Sequence, residues 1–252
     1  MIKKLVIANW KMNPASLKEA EKLFSDINKN ILTLKKTEVI ICPPVLYLAN
    51  LKKISKKFLF GAQNIFFEKK GAYTGEISAE MVESLGVKYV ILGHSERRSR
   101  GENNLEINKK IKVALSCGLV PILCVGETER DETHNYFNIV KDQILECLNG
   151  IQKDLISRII IAYEPVWALS TTIERKDATA KDFSEMSLFI RKILTDKIGM
   201  KTKMPKIIYG GSVNDKNVSD FFINGGAEGV LVGNASLNVE KFIKIINIAE
   251  SL

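Results

Sequence analysis

Eight short apolar runs, rich in valine and isoleucine, recur along the 252-residue chain: LVIANW (5–10), EVIICP (38–43), FLFGAQN (58–64), YVILGH (89–94), VPILCVG (120–126), IIIAYE (159–164), KIIYGG (206–211) and GVLVGN (229–234). None alternates strictly between apolar and polar residues, which is the pattern of parallel strands covered on both faces. Between the runs lie segments of helical period. Leu17, Ala20, Phe24, Ile27 and Ile31 share one face of the first; Val239, Phe242, Ile243, Ile246 and Ala249 share one face of the last, with Lys241 and Lys244 opposite. Gly86, Gly118, Gly150 and Gly199 fall where such stretches end, the position at which a left-handed residue closes a helix. Eight strands alternating with helices over about 250 residues predict an α/β fold, a (β/α)8 barrel occupying residues 1–252 as a single domain. The competing architecture, a doubly wound open sheet, calls for a G-x-G-x-x-G turn after an early strand, and the chain has none.

Composition narrows the class further. An apolar content of 46% supports a substantial core. No apolar stretch approaches the roughly 20 residues that cross a bilayer, and the apolar run behind Lys3 and Lys4 stops at Asn9, too early for a secretory signal. Cys42, Cys117, Cys124 and Cys147 show no C-x-x-C spacing and no disulfide framework, so a reducing, cytoplasmic setting is expected. With only His94 and His134, a histidine-rich metal site is not expected. The net charge of +8 comes from lysines scattered over predicted helix faces, such as Lys52, Lys53, Lys56 and Lys57, or Lys109, Lys110 and Lys112. That distribution reads as solvated surface, not as the clustered footprint of a nucleic-acid or membrane partner. Walker A and G-x-S-x-G motifs are missing too, which disfavours nucleotide hydrolysis and serine esterase chemistry.

In a parallel barrel the chemistry sits at the carboxyl ends of the strands. The first run delivers Asn9 and Lys11 there, the fourth His94, the sixth Glu164, and the last two end in Gly210-Gly211-Ser212 and Gly233-Asn234. Each has a plain reading taken singly: a solvated strand-end carboxylate, a satisfied core histidine, a loop lysine, the glycines of tight turns. Their convergence on one rim carries the weight. A glutamate in a partly apolar site can act as a general base. Histidine and lysine beside it can polarise a carbonyl and hold the negative charge left when a proton departs the adjacent carbon. Backbone N–H groups at the turns after the last two strands suit a phosphate. Proton abstraction next to the carbonyl of a small phosphorylated substrate, without metal or cofactor, uses every one of these parts. Pro165, directly behind the base, cannot donate to a ladder and fixes its own φ, so strand must give way to turn at that point.

These segments, NWKMN (9–13), GAQN (61–64), AYTGEIS (72–78), ILGHSERR (91–98), LCVGET (123–128), AYEPVW (162–167), YGGSV (209–213) and LVGNASL (231–237), resemble in order the signature segments of the triosephosphate isomerase family, over essentially the whole chain. The resemblance implies a TIM barrel that interconverts dihydroxyacetone phosphate and D-glyceraldehyde 3-phosphate through an enediolate. It implies that Glu164 moves the proton, that His94, kept neutral at a helix N-terminus opened by Ser95, hydrogen-bonds the substrate oxygens, and that Lys11 and Asn9 supply charge and orientation. Glu96 is expected to partner Lys11 or Ser95, and Arg97 and Arg98 to hold the rim by salt bridges. Pro165, Val166 and Trp167 are expected to form the hinge of a lid. Ser170, Gly211, Ser212, Gly233 and Asn234 are expected at the phosphate, with Tyr209 and Ser212 holding the closed lid. The loop 72–78, through Tyr73, Thr74, Gly75 and Glu76, is expected to dock into a second copy, giving a homodimer or a tetramer.

The chain departs from the family at two places. The lid, usually Ala-Ile-Gly-Thr-Gly, reads Ala168-Leu169-Ser170-Thr171-Thr172 and runs on to Thr179, about three residues longer, with no glycine. Asn234 replaces the second glycine of the last turn, and asparagine tolerates a left-handed backbone better than most residues. Two further functions fit the same residues: another sugar-phosphate enzyme on a barrel, such as an epimerase, and a phosphate-binding protein on an impaired isomerase scaffold.

Overall fold

The structure, a computed structural model, describes residues 3–169 and 176–252. Eight parallel strands, β1 (Lys4–Asn9), β2 (Thr37–Cys42), β3 (Leu59–Ala62), β4 (Tyr89–Leu92), β5 (Val120–Val125), β6 (Ile160–Tyr163), β7 (Lys206–Tyr209) and β8 (Gly229–Val232), form a closed barrel in chain order. Closure comes from β1 pairing with β8, Leu5 opposite Gly229 and Val6 opposite Val230. Helices fill the crossovers between strands.

The absence of alternation in the apolar runs now has its cause. Leu5 and Ile7 of β1 pack inside the barrel with Ile40, Ile91, Ile122, Ile160, Ile208 and Leu231. Val6 and Ala8, the alternate positions, pack outward with Phe24, Ile27, Phe242 and Ile246 from the surrounding helices. Both faces of each strand are thus dry. The observed strands stop short of the predicted runs, because the last residues of each run leave the ladder and turn into the rim.

The first helix, Leu17–Asn30, starts where the Ser16 hydroxyl accepts the Glu19 N–H at 3.3 Å, and it buries Ala20, Phe24 and Ile27; Leu17 is on the surface. The helix Val239–Ser251 buries Phe242, Ile245, Ile246 and Ala249. Those positions follow the i, i+3, i+4, i+7 stripe, and Ile243, expected in it, falls one step off and is only half-buried. Gly86, Gly118, Gly150 and Gly199 all take positive φ at helix ends, as their spacing predicts.

One lysine contradicts the solvated-surface reading. Lys110 is 1% exposed, held by Glu102 and by Glu106 at 2.9 Å. Burial of both partners together is what makes the position tolerable, since either charge alone would be left unsolvated.

Candidate active site

Asn9, Lys11, His94, Glu164, Gly210, Gly211, Ser212, Gly233 and Asn234 line one hollow of about 530 Å³ at the carboxyl end of the barrel. Five strands deliver them, and each arrives by its own local device.

Lys11 follows β1 with φ 53°, in the left-handed region that a residue with a side chain rarely adopts. Two neighbours hold it there. The Asn9 Oδ1 accepts the Lys11 N–H at 3.0 Å, and Gln63 Nε2 donates to the Lys11 carbonyl at 2.8 Å and to the Cys42 carbonyl at 2.9 Å. The ammonium then reaches Glu96 Oε1 at 2.5 Å, so of the two expected partners of Glu96 the lysine is the one that binds it. Burial pushes the Glu96 carboxyl up, but the hydrogen bond and charge of Lys11 outweigh it and leave the group below its ordinary value.

His94 follows β4 after Gly93 (φ 71°) and caps the short helix Ser95–Arg98, its Nδ1 accepting the Glu96 N–H at 3.2 Å. An Nδ1 that accepts carries no proton, so the ring hydrogen is assigned to Nε2. That nitrogen lies 3.4 Å from Oε1 of Glu164, whose other oxygen accepts the Ser95 N–H at 3.1 Å. Behind the helix, Arg97 pairs with Glu102 at 3.0 Å as expected. Arg98 meets no carboxylate among the described residues and instead donates to the carbonyls of Gly93 and Cys124 and to Asn104 Oδ1.

Glu164 is 2% exposed. Its backbone N–H bonds to the Val125 carbonyl at 2.7 Å. Two glycines make the space: a Cβ on Gly126 would stand 1.8 Å from the Glu164 carbonyl oxygen, and one on Gly210 would stand 2.9 Å from its Cγ. Cys124, inside the barrel below, has its thiol pushed well above the ordinary range by burial, reinforced by the Glu164 carboxylate. It stays protonated and adds no second negative charge beside the base.

Beyond Glu164 the chain makes a 3₁₀ turn, Val166–Ala168, capped by Pro165. Glu127, fully buried, anchors this turn: its backbone carbonyl accepts the Val166 N–H at 2.9 Å, and its Oε1 accepts from both Tyr163 Oη and Trp167 Nε1 at 2.7 Å. Arg130 Nε lies 3.3 Å from the same oxygen. The hinge expected at Pro165, Val166 and Trp167 is therefore fastened to the loop after β5. Ser170 lies outside the described residues, as does the lid through 175.

Also in the lining, the Ser212 hydroxyl is buried with no hydrogen-bond partner among the described residues. Gly211 cannot carry a side chain, since a Cβ would meet Tyr209 Oη at 2.3 Å; Tyr209 itself is 1% exposed and stacked on Phe221 at 3.7 Å. Asn234 opens the turn Asn234–Leu237 without positive φ, so the left-handed tolerance expected of it is not needed. Tyr73, Thr74, Gly75 and Glu76 stand exposed on a separate loop, closed by the Glu76 N–H to the Tyr73 carbonyl at 3.1 Å and by Tyr73 packed against Phe66. Gln63, Cys124, Gly126, Glu127 and Arg130 were not singled out as site residues. Their segments, GAQN and LCVGET, were the signal that contained most of them.

An isomerase on a (β/α)8 barrel is the class that this fold and this hollow define. The sequence profile of the family described as Triosephosphate isomerase matches residues 4–249. Proteins of that name from Thermoanaerobacter pseudethanolicus (42% identical over 252 residues, 98% of this chain and 100% of the relative), from Dehalococcoides mccartyi strain CBDB1 (42% over 246, 96% and 94%) and from Endomicrobium trichonymphae (40% over 250, 98% and 98%) are similar to it. The chain belongs to the triosephosphate isomerase family.

Proposed function

We propose that this chain, acting as one barrel domain over residues 1–252, interconverts dihydroxyacetone phosphate and D-glyceraldehyde 3-phosphate with Glu164 as the base. The observation that carries the reading is the meeting of Glu164 and His94 at 3.4 Å in the hollow that also holds Lys11. A carboxylate, a ring N–H and an ammonium at one place match the needs of an enediolate: one group takes the proton from the substrate carbon, the other two face the oxygens on which charge appears.

In this mechanism Glu164 removes the proton from C1 of dihydroxyacetone phosphate and returns it to C2. His94 donates through Nε2–H to the two substrate oxygens and exchanges the hydroxyl proton between them. Lys11, already fixed by Asn9 and Gln63, balances the charge of the enediolate. The phosphate lies at the far end, against Gly211, Ser212, Gly233 and Asn234. Glu164 is held through one oxygen by the Ser95 N–H, and the turn Val166–Ala168 follows it directly after Pro165.

A homodimer accords with the exposure of Met12 (93%), Leu46 (79%) and Tyr73 (44%), the last of these in the loop 72–78. Cytoplasmic residence accords with four unpaired cysteines and with the lack, among the described residues, of any helix long and apolar enough to cross a membrane.

The test is Glu164→Gln in a coupled triose phosphate assay. Turnover should fall by about 10²–10⁴-fold, the share that a positioned general base contributes. A variant within tenfold of the parent removes Glu164 from the role. An epimerase would instead turn over a pentulose phosphate, and a binding protein would bind a phosphoglycolate-like anion without exchange.

A further inference from the structure

Lys241 lines the hollow at the end bounded by Ser212, Asn234 and Asn238. Its charge is out of place by ordinary standards. It sits in the first turn of the helix Val239–Ser251, where Asn238 Oδ1 accepts its N–H at 3.0 Å, and the helix dipole puts its positive end there. The carboxylates of that corner, Glu240 and Asp215, both face Lys244, at 2.7 and 4.0 Å. No carboxylate among the described residues forms a salt bridge with the Lys241 ammonium, though its charge adds, after that of Lys244, to the pull that lowers the Glu240 carboxyl.

The other charges of the hollow sharpen the point. Lys11 is salt-bridged to Glu96, its Cε stands 3.6 Å from where a Cβ on Gly233 would lie, and Glu164 adds a negative charge, so this one cation is shared between a carboxylate, the enediolate and the dianion. Lys241 is the remaining charged side chain in the lining among the described residues. Asn238, whose oxygen is used in the cap, belongs to the same wall.

We propose that Lys241 recruits and holds the substrate's phosphate, drawing the dianion to the end formed by Ser212, Gly233 and Asn234. The inference rests on the isomerase reading of this hollow and concerns a residue that binds without touching the reacting carbons. It predicts an effect on substrate capture, not on the chemical step.

The experiment compares Lys241→Glu, Lys241→Gln and Lys241→Arg with the parent in triose phosphate isomerisation at ionic strengths of about 0.01 M and about 1 M, where the screening length falls from about 30 Å to about 3 Å. At low salt Lys241→Glu should lose roughly tenfold in kcat/KM through KM, with Lys241→Gln between it and the parent and Lys241→Arg near the parent; at high salt the differences should collapse. Calorimetric titration with inorganic phosphate should show weaker binding in the same order. That arm needs no turnover, so it can succeed even if the isomerase reading fails. The melting temperature of Lys241→Glu should equal or exceed the parent's, since a cation leaves the positive end of a helix. Wild-type KM, salt dependence and phosphate affinity in Lys241→Glu would overturn the proposal and return Lys241 to solvated surface. A lowered melting temperature with a lowered kcat would overturn it too, in favour of a structural role.

Discussion

The Cα of Gly126 and the carbonyl oxygen of Glu164 are so close that a single added carbon would stand 1.8 Å from that oxygen. The height of the base above the barrel is therefore set by the strand beside it, through the bond from Glu164 N–H to Val125. Gly126→Ala has to push Glu164 away. Turnover should drop by about 10²-fold, the cost of a misplacement of roughly 1 Å, and the overpacking should destabilise the protein by about 1–3 kcal/mol. Urea unfolding and the coupled assay check both parts; full turnover in the folded variant would show that the base does not depend on this apposition.

Glu164→Asp makes the same displacement from the side chain. The carboxylate retreats by one methylene, so kcat should fall by around 10²-fold. KM for either triose phosphate should change little, because the far end of the hollow is untouched. Progress curves in both directions give the two constants, and a loss confined to KM would argue for a binding role.

The buried pair of Glu102 and Lys110 makes stability depend on acid. Burial pushes the Glu102 carboxyl up, but the hydrogen bond and charge of Lys110, joined by Arg97, outweigh it and hold the group below its ordinary value. A carboxylate depressed in the folded state contributes stability that is fully present above its unfolded value of about 4.3 and is lost as the pH falls through the lower folded value. Glu102→Gln should flatten that acid limb of the unfolding free energy. At neutral pH it should cost less than the roughly 3–5 kcal/mol of a buried charge left alone, since Lys110 loses one partner and keeps Glu106 at 2.9 Å. A variant whose acid limb matches the parent's would place the titration elsewhere.

The loop 72–78 should govern association. Thr74→Arg puts a long charged side chain at the exposed tip of the loop and should yield a monomer by sedimentation at concentrations where the parent is a dimer. A parent that sediments as a monomer at micromolar concentration would remove the homodimer from the reading.

Much of this architecture was legible because a parallel barrel writes itself twice: in the unalternated apolar runs, and in what stands where each run ends. Asn9, His94 and Glu164 could be placed on one rim from those ends alone. What escaped depends on distance between strands. Gly126 and Gly210 resemble any turn glycine until the Glu164 side chain is seen against them, and Glu127 resembles a solvated loop acid until Tyr163 and Trp167 point at it. Lys110 was misread for the same reason. Helical spacing places a lysine on a face and is silent on whether Glu102, eight positions earlier, comes back to cover it.

The left-handed backbone of Lys11 bears on how a small substrate can be handled quickly. A backbone held in a sparsely populated region costs about 1–3 kcal/mol, a debt that Asn9 and Gln63 settle when the chain folds. Each arriving molecule then meets a backbone already placed and an ammonium already held by Glu96. The disorder that catalysis would otherwise have to remove at every cycle has been removed once, at the birth of the native state.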